Sequence, residues 1–145
     1  MSMMRKTQLK RTSKSPEALA KKEIQRLLRE IVIIRDRVCQ RCGVSYGTNG
    51  VIFQCDHLLS RSHSATYSDS GLCVLLCKPC HAWKSLGGNV RQFEYDSLIR
   101  SKLPPERVRK WDLALEWRYK PTKMDWGLEI VALNQILKKL STQPQ

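Results

Sequence analysis

Two cysteine pairs, Cys39-Gln40-Arg41-Cys42 and Cys77-Lys78-Pro79-Cys80, stand on either side of an Asp56-His57 pair, and the second runs directly into His81. Two thiolates two residues apart grip one ion from a single tight turn, so the paired knuckles predict a four-cysteine zinc site that holds the fold. The carboxylate and the imidazoles offer a different chemistry. An imidazole titrates near neutrality and accepts a proton from water, while a carboxylate with a second imidazole makes a mixed oxygen and nitrogen pair for a divalent ion. Water activation and charge neutralisation are what hydrolysis of a phosphodiester requires. His57 is the candidate base. Asp56 and His81 are the candidate ligands of a catalytic ion, Mg2+ or Mn2+ foremost, with Ni2+, Co2+ and Zn2+ also compatible with the donor set.

Neighbouring residues extend the candidate site. Arg61 and Lys84 are candidate phosphate contacts, with ordinary surface charge as the plain alternative; Lys84 follows His81 by three residues on one helical face. His63 is a candidate DNA contact, or a substitute ligand or base. His81 as a zinc ligand in place of a cysteine, and Cys55 as a fallback zinc ligand, stay open. Otherwise Cys55 and Cys73 read as buried thiols.

The rest of the chain must carry and position these groups. Its 145 residues, 41% hydrophobic, support one modest domain with basic extensions. Lys and Arg outnumber Asp and Glu by 26 to 13, a formal charge of +13, which points to a polyanionic partner. No apolar run approaches the roughly 20 residues of a membrane span, and no apolar signal core follows the basic N-terminus. A cytoplasmic protein with reduced thiols is expected. Residues 1–15 read as a basic flexible arm in which Arg5, Lys6, Lys10 and Arg11 contact phosphates, the plain alternative being a solvated tail.

Residues 16–38 read as an N-terminal helix, opened by Ser15-Pro16-Glu17 and running to about Arg37. Ile24, Leu27, Leu28, Ile31 and Ile34 form its buried face. Residues 39–88 form the core. Val51 to Cys55 is a β-prone run that delivers Asp56-His57 at its end, a polar stretch leads to Gly71, and Leu72 to Leu76 is a second β-prone run. A short helix starts at His81 and stops at Gly87-Gly88. The knuckles are separated by 34 residues, more than the roughly 15 to 20 of a compact zinc ribbon, so a folded hairpin is expected between them. Adjacent strand residues point to opposite faces, so Asp56 and His57 share a site only if the chain bends there. Residues 89–145 form a C-terminal helical region. Its stripes are Val90, Phe93, Leu98 and Ile99, then Val108, Trp111 and Leu115, and, after a break at Pro121, Leu128, Val131 and Ile136-Leu137, with Ser141 to Gln145 frayed. The fold class is α+β, and an exposed apolar face on the last helix permits a homodimer.

Cys39 to Gly43, Asp56-His57 and Leu76 to Lys84 together resemble the zinc-stapled HNH endonucleases, over about residues 35–85. Arg35-Asp36, His57 to Arg61, Ala65-Thr66 and Gly87 to Asn89 are similar, more narrowly, to the phage NinG family of recombination-associated proteins. The resemblance implies a ββα-metal core with a four-cysteine zinc clasp, and metal-dependent cleavage of DNA, branched or recombining, to 5′-phosphate and 3′-hydroxyl ends. It also implies the cytoplasm of a bacterial host if a phage encodes the chain. The HNH pattern departs at Leu72, where the family places an Asn that helps to fix the base; Ser68, Asp69 or Ser70 is the expected substitute. The alternative is a non-catalytic zinc-containing DNA-binding protein.

Overall fold

A computed structural model describes residues 15–61, 63–117 and 123–143. The arm cations Arg5, Lys6, Lys10 and Arg11, and the break at Pro121, lie outside the described residues. The first helix, α1, spans Pro16–Asp36. The Ser15 hydroxyl caps it by accepting from the Ala18 amide at 3.2 Å, and Pro16 enters at the first turn, where no amide hydrogen is needed. Arg37 ends it in the left-handed conformation, φ 63°, and donates its amide to the Ile33 carbonyl. Ile24, Leu27, Leu28 and Ile31 are buried as expected; Val32 joins them, whereas Ile34 is only half-buried.

After the first knuckle come β1 (Phe53–His57), α2 (Ser64–Tyr67), a 3-10 turn (Ser70–Leu72) and β2 (Cys73–Cys77). Four helices follow: α3 (Lys78–Leu86), α4 (Gly88–Lys102), α5 (Pro105–Trp117) and α6 (Trp126–Thr142). Among the described residues the architecture is α+β, six helices around one antiparallel pair whose register runs from Phe53 opposite Cys77 to His57 opposite Cys73. All five residues of β2 are buried, because α1 covers the pair on one side and α3 on the other. A strand covered on both faces reads as a continuous apolar run, here Cys73-Val74-Leu75-Leu76-Cys77. The outer helix α6 packs along α1.

Several boundaries differ from expectation. β1 starts two residues late and runs through Asp56 and His57 rather than presenting them beyond its end. α3 starts at Lys78, not at His81, with Cys77 as its N-cap and Pro79 in its first turn, so the second knuckle is itself a helix start. The polar stretch before Gly71 holds α2 and the 3-10 turn. On α4, Val90 and Phe93 are 71% and 74% exposed, while Tyr95 and Ile99 face inward. On α6, Leu128 and Val131 are exposed; Trp126, Ile130, Leu133, Leu137 and Leu140 face the core, the face set by packing on α1. The helix continues to Thr142 instead of fraying at Ser141. Only α5 keeps its expected stripe, with Trp111 buried and Val108 and Leu115 packed beside it. No helix among the described residues is long and apolar enough to cross a membrane.

Candidate active site and metal centre

The Sγ atoms of Cys39, Cys42, Cys77 and Cys80 lie within 4.8 Å of one another. A tetrahedron built on Zn–S bonds of about 2.3 Å has edges of about 3.8 Å, so the four thiols are positioned to hold a metal ion and are compatible with structural zinc. Local backbone chemistry builds the arrangement. Gly43, at φ 80°, turns the first knuckle back so that its amide reaches the Cys39 carbonyl at 2.9 Å. The Gln40 amide reaches the Leu75 carbonyl at 2.9 Å, tying that knuckle to β2. Burial opposes ionisation of Cys39, but the amides of Cys42, Cys77 and Arg41 aim at its sulfur and hold the thiol down to about 7. Burial pushes the Cys77 thiol up to about 12. The Arg41 guanidinium lies 3.4 Å from the Cys80 sulfur and 3.8 Å above the Trp83 ring. Neither His81 nor Cys55 belongs to this cluster, so the alternatives that made either a clasp ligand drop away.

Asp56 is 3% exposed and faces α3 and α4. Its carboxylate accepts from the Lys84 ammonium at 2.9 and 2.8 Å, one bond to each oxygen, and from the Tyr95 hydroxyl at 2.7 Å. His81 Nε2 lies 3.6 Å from Oδ1. Asp56, His81 and Lys84 therefore meet, but the Lys84 ammonium is spent on the carboxylate rather than projected toward a phosphate. Burial and the adjacent carboxylate push the Tyr95 phenol up, which keeps it a hydrogen-bond donor. Sequence reasoning missed Tyr95. It lies 39 residues from Asp56 on a helix whose exposed Val90 and Phe93 gave the stronger apolar signal.

His57 departs from expectation. β1 keeps regular pairing through Asp56 and His57, so the expected bend is not formed and the two side chains take opposite sides of the hairpin. The His57 ring stacks on Tyr67 at 5.5 Å, and Nε2 lies 3.0 Å from the Tyr67 carbonyl. A carbonyl only accepts, so Nε2 carries the proton and Nδ1 keeps the lone pair. Burial pushes the imidazole below its ordinary value, against the pull of that carbonyl and of Asp56, so the neutral form prevails at neutral pH. The Tyr67 carbonyl thus holds His57 although Leu72 cannot. Two of the expected substitutes are engaged elsewhere: Ser68 donates to Glu129, and Asp69 accepts from the Gly71 amide and pairs with Lys110.

Asp56, His57, Arg61, His81 and Lys84 nonetheless border one cleft of about 520 Å³. Its remaining lining is Gln54, Cys55, Leu59, Ser60 and Ser85. His63 is not part of that lining; it stands at the start of α2, where its carbonyl accepts from the Thr66 amide. Arg61 also borders a smaller cleft of about 180 Å³ with Gln25 and Arg29 of α1. No protein-family model, curated protein or solved structure matches the chain.

Proposed function

We propose that the protein is a metal-dependent DNA endonuclease of the HNH kind, acting on branched or recombining DNA. The observation that carries this is the approach of the Asp56 carboxylate to His81 Nε2, 3.6 Å, inside a cleft that His57, Arg61 and Lys84 also border. Two donors on an ion at about 2.1 Å sit about 3 Å apart when cis, and a magnesium-type ion completes its shell with water and substrate phosphate, so the pair fits such an ion. Asp56 and His81 would hold it, and its charge would offset that of the phosphorane. Lys84, released from Asp56, would turn its ammonium to the phosphate, and Arg61 would anchor the strand at the cleft border. His57 Nδ1 takes the proton from the attacking water, and the Tyr67 carbonyl steadies the imidazolium through Nε2–H. The net charge of +13 suits the polyanion.

The test is cleavage of a four-way junction and of duplex of the same sequence with Mg2+ or Mn2+. His57→Ala is expected to lose about 10²- to 10⁴-fold in rate while still binding DNA. If wild type binds linear, nicked and branched DNA but leaves all three intact with either ion, the enzyme reading is lost. A non-catalytic zinc-containing DNA-binding protein is the second reading. It is favoured by the saturation of Asp56 by Lys84 and Tyr95, and by the opposite facing of Asp56 and His57.

A further inference from the structure

On the face of the hairpin turned away from Asp56, His57 stands beside two thiols, those of Cys55 and Cys73, that play no part in the chemistry above. The Sγ atoms of Cys55 and Cys73 and a ring nitrogen of His57 lie within 4.8 Å of one another. The register brings them together: Cys55 and His57 are two apart on β1 and share a face, and Cys73 is the cross-strand partner of His57. Three donors at that separation need only a small contraction to reach the edges, about 3.8 Å, of a tetrahedral thiolate site. Cys73 is fully buried, while Cys55 is half-buried and borders both clefts, so water has access to a fourth position. With Nε2–H given to the Tyr67 carbonyl, as a metal-binding imidazole gives its second nitrogen to a carbonyl, Nδ1 is the nitrogen that would ligate.

We infer that Cys55, Cys73 and His57 form a three-ligand site for a thiophilic divalent ion such as zinc, separate from the four-cysteine clasp. Loading exchanges protons for metal. The two thiols release their protons to solvent and form two metal–sulfur bonds, the neutral imidazole forms one metal–nitrogen bond, and a water takes the fourth position; no oxidation state changes. The site is open where the clasp is closed, so it fills at higher free zinc. Filling it removes the lone pair that would accept the water proton, and zinc then silences cleavage. That consequence rests on the endonuclease reading; the binding itself does not.

Equilibrium dialysis of the full chain against buffered free zinc, under a non-thiol reductant, decides the binding. Wild type is expected to take up one further zinc equivalent after the clasp is full, and Cys55→Ala to lack it. Because Cys55 is half-buried and lines the clefts, this substitution spares the closed core, and circular dichroism checks that the variant is folded. In wild type itself, the second equivalent is expected to slow alkylation of Cys55. Uptake that stops at one equivalent, a second equivalent retained by folded Cys55→Ala, or unchanged alkylation each overturns the site. A parallel arm follows cleavage with Mg2+, each protein normalised to its own zinc-free rate. Wild type is expected to lose at least tenfold at the zinc level that fills the second equivalent, and Cys55→Ala to need more zinc for the same loss. If wild type never cuts, the endonuclease reading fails while the dialysis still decides the site.

Discussion

A carboxylate as deeply enclosed as that of Asp56 needs partners, and Lys84 and Tyr95 supply three hydrogen bonds to it. Both side chains of the ion pair are largely shielded, 11% exposed for Lys84 and 4% for Asp56, so removing the cation leaves an uncompensated buried charge. Lys84→Met is expected to lower the unfolding free energy by about 3 kcal/mol. In Asp56→Asn the same change is expected to cost much less, which urea denaturation and a double-mutant cycle measure. Added Mn2+ is expected to restore part of the loss in Lys84→Met, since a divalent ion on Asp56 and His81 replaces the missing charge. The sequence made Asp56, His81 and Lys84 legible because residue type and spacing bring a helix and a strand end together. It left Tyr95 and the Tyr67 carbonyl invisible. The first is a long-range contact with no periodic signal, and the second is a backbone atom, which no residue type announces.

At the level of elements, the joint between α3 and α4 decides whether Lys84 and Tyr95 converge on Asp56. Gly88, at φ 64°, starts α4 in the left-handed region, and a Cβ there would meet nothing within 4 Å. The cost of Gly88→Ala is therefore conformational alone, about 1–2 kcal/mol, and Gly88→Asn is expected to cost less because Asn tolerates that region better. Thermal unfolding of the two variants checks the order. A second joint ties α1 to β2. Asp36 accepts from the Leu75 amide at 2.9 Å, and Arg35 donates to the Cys73 carbonyl at 2.6 Å, where Arg107 of α5 also donates at 2.8 Å. The start of α1 was legible because a capping hydroxyl and a proline mark it together at Ser15-Pro16, whereas α3, which has Pro79 in its first turn but no side-chain cap, was expected three residues late. Helix phase was less so, because α4 and α6 each carry apolar residues on more than one face and only packing chooses between them. The expected bend after Asp56 did not form, since β1 continues its ladder through His57.

For the molecule as a whole, the four-cysteine cluster joins segments that the hairpin separates. The core of buried side chains runs from Ile24 of α1 through β2 to Leu133 of α6, and Cys39, Cys77 and Cys80 of the cluster are themselves part of it. Stripping metal with a strong chelator is expected to cost several kcal/mol of stability and to loosen the hairpin before the α1 and α6 pair. Hydrogen exchange on β1 and β2 compared with α1 reads this directly. The charge balance was fully legible from composition, and so was the need for a folded insert between the knuckles.

The spacing of those knuckles also sets an order of events in time. The ribosome releases Cys42 38 residues before Cys80, which at about 5–20 residues per second is an interval of roughly 2–8 s. During that interval the first pair of sulfurs has no partners from the second. An ion held by all four sulfurs would close its site only after both strands of the hairpin have been made, so its closure would report that the segment between them has been synthesised whole.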